Sequence, residues 1–407
     1  MPAPSRAIPR NVWMLGFVSL LMDTSSESIH ALLPLYMVGT LGASTLLVGI
    51  VEGFAEATAL VVKVFSGYWS DKTRRRKPLV LLGYGIAALS KFAFPLAPAL
   101  PWVIGARIVD RVGKGIRGAP RDALIADLTP AEVRGAAFGL RQALDTAGAI
   151  AGPLIAVIAI GAFAGSFRAA FWVAVVPAVL CVMLLWLGVD EPDGKTASSA
   201  AKRMSLADLK RLDHRFAIVT TIAIVMTLAR FSEAFLVLRA QNVGLDVEHA
   251  PWVMVAMSIV YAALALPAGR LADRGYALAL LAAGLVALVA SDLVLASAAG
   301  AFGALAGAGL WGLHMALTQG LLAALVSEVA PADLRGSAFG VFNLGSGIAL
   351  LISSALAGGL WQWVGPAATF VAGAGFAAVA LVGLLAFRRQ LPSLGAAQPT
   401  GLSSRQA

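Results

Sequence analysis

Hydrophobic runs of the length a helix needs to cross a bilayer, about 20 residues, recur along the whole chain between short polar breaks. They predict twelve spanning helices, at 12–38, 46–66, 79–98, 101–126, 136–160, 168–189, 216–240, 250–272, 277–297, 300–327, 337–362 and 366–387, and hence an all-α polytopic membrane protein. Polar positions inside these runs are patterned. In "FVSLLMDTSSESIHALLPLY", residues 17–36, Asp23, Glu27 and His30 stand four and three residues apart, which puts them on one helix face. Glu52, Glu56 and Lys63 form a narrower stripe in the second span. The fourth carries Arg107, Asp110, Arg111, Lys114, Arg117 and Arg121 on one broad face, and the fifth has Arg141 four residues before Asp145.

Composition supports the membrane reading and excludes the soluble globular classes: 59% of the 407 residues are hydrophobic, 13% are charged, and the mean hydropathy is +0.83. The basic residues between spans are one-sided. Arg6 and Arg10, the run from Lys72 to Lys77, the group from Lys195 to Arg215, Arg274, and Arg388 with Arg389 all fall on the same side, which the positive-inside rule makes cytoplasmic. Both termini are therefore expected in the cytoplasm and the protein in the cell (inner) membrane as a multi-pass chain. This bias and anionic headgroups account for the net charge of +9, so no nucleic-acid partner is expected. The first run holds Asp23 and Glu27 and is followed by no cleavage pattern, so it reads as a retained helix rather than a signal peptide. Cys181 is the only cysteine, which excludes an intramolecular disulfide and a multi-cysteine metal site.

An internal repeat sets the organisation. "LIADLTPAEVRGAAFG" at 124–139 returns as "LVSEVAPADLRGSAFG" at 325–340, and "GYWSD" at 67–71 has an echo in "GRLAD" at 269–273. We expect a six-helix bundle over 1–189, a cytoplasmic linker over 190–215 that includes a surface-helical part, a second six-helix bundle over 216–390, and a disordered tail over 391–407. Duplicated membrane halves of this kind bind ligand near the midplane between the halves and alternate access by rocking.

These residues bring a family into view: over nearly its whole length the chain resembles the major facilitator superfamily of secondary transporters. That family has a loop after its second helix reading roughly G-x-L-A-D-R-x-G-R-K. Here "GYWSDKTRRRK" puts Gly67, Asp71, Arg75 and Arg76 in the matching places, with Trp69, Lys72 and Arg74 departing from the pattern. The second copy, "GRLADRGY", keeps Asp273 but lacks the basic pair. "RVGKGIRGA" in the fourth span is similar to the family's R-x-x-x-G stretch, with Arg111 in register. "GAIAGPLIA" in the fifth, with Gly148, Gly152 and Pro153, resembles the G-x-x-x-G-P element associated with antiporters. The longer stretch "DRVGKGIRGAPRDALIAD" is similar to a poorly characterised prokaryotic branch. The resemblance implies a twelve-helix fold in two six-helix halves and transport by alternating access, and it leaves the substrate open. By itself, small-xxx-small spacing only permits close helix packing.

The intramembrane charges carry the chemistry. Each is costly at a helix centre, about 2.5–3.5 kcal/mol on insertion scales, so such groups face a bundle interior or a watery cavity and are paired. Asp23, Glu27 and Glu56 are the expected proton-coupling acids, with Arg111 as the partner whose approach favours their ionised form. Asp71 with Arg75 and Arg76 reads as a breakable latch at the cytoplasmic rim. Lys114, Arg117 and Arg121 approach that rim and are expected to pair structurally or snorkel to headgroups. His30, Glu52, Arg107, Asp110, Arg141, Asp145, Arg230, Glu233, His314, Gln319 and Asn343 are candidates for the substrate cavity, the charged N-terminal half handling ions and the more apolar C-terminal half forming much of the substrate wall. The reading is a monomeric, proton-coupled efflux transporter, an antiporter for a small organic compound, with no cofactor, no resident metal and no enzymatic activity. Two alternatives stay open: export of a divalent metal cation through Asp23, Glu27, His30, Glu52 and Glu56, since carboxylate and imidazole suit several such ions, or proton-coupled import of an organic anion recognised by Arg107, Arg111 and Arg141. "VGKGIRG" at 112–118 resembles a phosphate loop only superficially, for it lies mid-span without a preceding strand.

Overall fold

Each hydrophobic run folds as helix in a computed structural model that describes residues 8–73, 75–191, 213–331 and 334–391. In the first half, α1 (Arg10–Leu35) ends in a π-helical turn (Tyr36–Thr40) and is followed by α2 (Thr45–Thr73), α3 (Arg76–Leu96), α4 (Leu100–Leu128), α5 (Arg134–Ala162) and α6 (Phe167–Gly188). In the second, α7 (His214–Ala229), α8 (Ala234–Asn242), α9 (Trp252–Leu271), α10 (Ala277–Ser297), α11 (Ala301–Val329), α12 (Arg335–Trp363) and α13 (Pro366–Ala386) complete the bundle. The chain turns between α9 and α10 at Gly275, whose φ of 92° suits glycine and few other residues. The expected linker helix, most of the segment 190–215 and nearly all of the tail 391–407 lie outside the described residues.

One expected span is not continuous. The apolar run 216–240 predicts a single seventh helix, whereas the structure breaks it between α7 and α8. The break is sustained by side chains that replace the lost backbone bonds. Ser354 Oγ accepts the N–H of Ser232 at 3.1 Å, and Ser232 Oγ accepts the N–H of Ala234 at 3.2 Å. Non-helical backbone at membrane depth is tolerated where it is buried in protein or lines a cavity, and Arg230 to Glu233 do line one.

The duplication seen in the sequence reappears in the contacts. The second helix of each half crosses the fifth of the other, as α2 on α12 and α5 on α9. Glycines set the first crossing. A Cβ at Gly53 would lie 2.8 Å from Leu351 Cα, and Thr45 Oγ1 donates to the Gly358 carbonyl at 3.3 Å. Apolar packing is distributed unevenly between the two ends. At the end where the α1–α2 loop lies, one core joins both halves, including Leu33, Tyr36 and Val48 with Phe231, Phe235 and Phe370. At the end carrying Asp71 and Arg76, the first half keeps a core of its own (Val12, Leu15, Tyr84, Ile125, Cys181), while on the side of the second half Leu325, Val326 and Leu384 continue the joint core and Ala272, Ala277 and Leu280 form a small separate cluster. The halves are thus sealed together at one end and parted at the other.

Candidate functional site

Between the halves lies a cavity of about 520 Å³. The first half gives it a charged wall: Asp23, Glu27 and His30 from α1, Glu56 from α2, Arg111 and Lys114 from α4, and Arg141 and Asp145 from α5. The opposite wall is aromatic and thioether, with Phe231 from the break, Met257 and Tyr261 from α9, and Trp311 and Met315 from α11; Arg230 and Glu233 from the break and Gln319 bring polarity to it.

Local sequence positions the charged wall. Gly148 and Gly152 let α5 approach the acid-bearing face of α1: a Cβ at Gly148 would sit 3.0 Å from Asp23 Cβ, and one at Gly152 would sit 2.6 Å from Glu27 Cβ. Ser28 Oγ then donates to the Gly152 carbonyl at 2.8 Å. The G-x-x-x-G-P element therefore fixes where the two carboxylates stand, through close packing of the kind small residues permit.

The charges form two linked layers. In the deeper one, His30 stands between two carboxylates, Nδ1 at 3.4 Å from Glu27 and Nε2 at 3.4 Å from Glu52. Glu52 is held by Arg107 at 2.5 Å. Arg111 Nε lies 3.2 Å from Glu56, yet neither its Nε nor its Nη1 has a hydrogen-bond acceptor, so this is an ion contact that leaves donor capacity unused. In the outer layer Asp23 faces Arg117 at 3.6 Å. Arg141 bridges Asp122 and Asp145, each at 3.0 Å, and Arg121 donates to Ser19 at 2.9 Å.

Several expectations are corrected by this geometry. Of the three acids expected to share Arg111, the one it contacts is Glu56. Glu52, Arg107 and Asp110 sit behind the cavity wall, because they are consumed by one another and by His30 and Lys91. His314 turns into the α10–α11 contact, its Nδ1 at 2.8 Å from the Gly284 carbonyl. Asn343 lies on α12 away from the lining. Arg117 and Arg121 do not snorkel; Arg117 is buried over the Tyr84 ring at 4.7 Å. At the rim, the latch partner of Asp71 is Arg76 at 3.6 Å, which also grips Asp127 of α4 at 2.5 Å, while Arg75 is exposed. Gly67 abuts Ala119 of α4, and Asp273 is exposed in the α9–α10 turn. The basic position 74 lies outside the described residues.

Sequence reading missed Lys91. This fully buried residue of α3 pairs with Asp110 at 2.7 Å and donates to Ser26 at 3.0 Å. A lone lysine in an apolar run was the available signal, since a charge at that depth needs a partner. It also missed Glu191, whose carboxylate accepts the backbone N–H groups of Arg76 and Lys77 at 2.9 and 3.0 Å and so caps α3. Among the described residues no three His, Cys, Asp or Glu side chains gather to hold a metal ion.

The family model described as Major Facilitator Superfamily matches residues 14–239 and again 217–403. An uncharacterised MFS-type transporter of Methanocaldococcus jannaschii is 32% identical over 374 residues, 90% of this chain and 92% of the relative. A multidrug resistance protein, MdtH, of Photorhabdus laumondii is 31% identical over 156 residues, 38% of either chain. Among solved structures, the nucleoside transporter NupG, as its D323A mutant, superposes with a TM-score of 0.77 at 16% identity, covering 92% of this chain and 99% of that one. At that identity the likeness speaks to fold alone.

Proposed function

The chain belongs to the major facilitator superfamily, a family of membrane transporters, and from that premise we propose that it is a proton-coupled antiporter exporting a small organic compound by alternating access. The observation that carries this reading is the two-faced cavity. Acids with incomplete pairing line one wall, and an aromatic and thioether surface suited to an organic molecule lines the other. Glu27 pairs with the imidazole of His30, and Glu56 shares a guanidinium that still has free donors among the described residues. A rearrangement that moves Arg111 between these carboxylates changes which of them holds a proton, because a nearby guanidinium favours the ionised acid. With the basic loops on the cytoplasmic side, the parted end opens to the cytoplasm, the face from which an exporter loads. The partial likeness to a multidrug resistance protein and the G-x-x-x-G-P element favour export. On this reading the protein sits in the cell membrane with both termini inside.

The test is transport by the purified protein in liposomes with a trapped pH indicator, against a panel of organic compounds. Proton movement that depends on a compound and is lost in Glu27→Gln or Glu56→Gln supports the proposal. Compound flux with undiminished proton coupling in the Asp23→Asn/Glu27→Gln/Glu56→Gln triple variant would refute it. An organic anion is a second reading, favoured by Arg111, Lys114 and Arg230 on the cavity wall; competition by carboxylate compounds would separate the two.

A further inference from the structure

Beyond the charged wall, one ionisable group in the other half has no assigned role. Asp292 of α10 is 0% exposed, and neither of its carboxylate oxygens has a hydrogen-bond partner among the described residues. We propose that Asp292 is a separate proton-binding site of the C-terminal half, closed off from the substrate cavity by the ring of Phe231.

Its surroundings define the ligand. On α13, Gly373 makes room for the carboxyl: a Cβ there would lie 2.6 Å from Asp292 Oδ2 and 2.9 Å from Phe231 Cε1, so the carboxyl and the ring flank the same glycine. Phe231 belongs to the break in the seventh span and also lines the cavity. The ring is clasped by Trp311, Phe370 and Phe235, with centroids at 5.3, 5.6 and 5.8 Å.

Charged and titratable groups on the neighbouring elements are few. α13 has none. α11 offers Glu328 in its last turn and His314, whose Nδ1 lies against the Gly284 carbonyl about two turns along α10 from Asp292. The break offers Arg230 and Glu233, which line the cavity. α8 offers Arg239, whose guanidinium donates to the carbonyls of Leu295, Ala296 and Ala298. The turn before α10 carries Asp273 and Arg274 at its far end. None of these pairs with Asp292 among the described residues.

A carboxylate removed from water and left unpaired is strongly unfavourable, whereas the neutral acid is not. A metal cation would need several oxygen ligands, and among the described residues no three His, Cys, Asp or Glu side chains gather to supply them. A proton alone satisfies the site. It adds to a carboxylate oxygen from a hydronium ion in the cavity when Phe231 withdraws, and it leaves by the same route, returning to water. Asp23, Glu27 and Glu56 differ in having Arg117, His30 and Arg111 beside them. The break in the seventh span thus gates a second site while contributing Arg230 and Glu233 to the first.

Infrared difference spectroscopy of the full chain in lipid nanodiscs tests this without requiring transport, so failure of the coupling mechanism proposed above would leave its outcome distinct. At neutral pH the wild-type spectrum should contain a protonated-carboxyl stretching band that is lost in Asp292→Asn and shifted in Asp292→Glu. In alkaline buffer the band should persist in the wild type and disappear in Phe231→Ala. A carbonyl region unchanged by both Asp292 variants would overturn the site. A wild-type band that titrates with bulk pH as readily as in Phe231→Ala would overturn the gate.

Discussion

Replacing Arg107 by leucine isolates a short ion pair deep in the protein's interior. Arg107 and Glu52 are each 1% exposed and meet at 2.5 Å. Without the guanidinium, Asp110 keeps Lys91 at 2.7 Å, but Glu52 is left with only His30 at 3.4 Å. Removing one partner of a buried pair costs about 3–5 kcal/mol, because the remaining charge stays buried without compensation. Glu52→Leu should lose a similar amount. The double variant should lie much closer to the wild type, since replacing both partners by apolar groups is often neutral or stabilising by about 1–4 kcal/mol. The residual contacts of Arg107 with Glu56 and Asp110, both at 3.9 Å, keep the cancellation from being complete. Reversible unfolding in mixed micelles, read as a double-mutant cycle, gives the coupling directly. Single variants within about 1 kcal/mol of the wild type, or strictly additive losses, would refute the reasoning by showing the pair to be effectively solvated.

Two further outcomes follow from local geometry. Gly152→Val should separate α5 from α1, because the added carbons meet Glu27 and the Ser28 backbone; overpacking of this kind costs about 1–3 kcal/mol, and a melting temperature equal to the wild type would contradict it. Asp213, exposed at the start of α7, accepts the His214 N–H at 2.6 Å and lies 2.7 Å from the ring Nδ1, contacts that hold its carboxyl below the usual value. A depressed acid contributes stability above its unfolded pKa and loses it as pH falls through the folded one. Protection of the Phe216 and Ala217 amides, taken relative to their intrinsic exchange rate at each pH, should therefore fall in acid, and Asp213→Asn should abolish that loss of protection.

Much of this architecture is legible in one dimension. Long apolar runs carry enough signal to count spans, and the repeat foreshadows the α2–α12 and α5–α9 crossings because duplicated halves pair equivalent helices. The stripe of Asp23, Glu27 and His30 shares one face because a helix fixes its own angular spacing. Pair identities are less accessible. That Arg111 meets Glu56 and Asp23 meets Arg117 depends on how α1, α2 and α4 are rotated against one another, and helical periodicity within one segment does not encode the rotation of the next. The break at Arg230–Glu233 is hidden for a similar reason: Ser354, more than a hundred residues away, supplies one of the hydrogen bonds that make it tolerable.

The uneven distribution of apolar packing bears on how the two halves find each other. Contacts that join them are concentrated in a core built from residues of both, whereas the first half keeps a core of its own at the parted end. Recognition between halves is then a property of folded surfaces and not of the peptide that ties them. Severing the chain between α6 and α7 and producing the two pieces as separate polypeptides in the same cell should yield a complex that assembles through that common seam, with the connecting segment serving to raise local concentration.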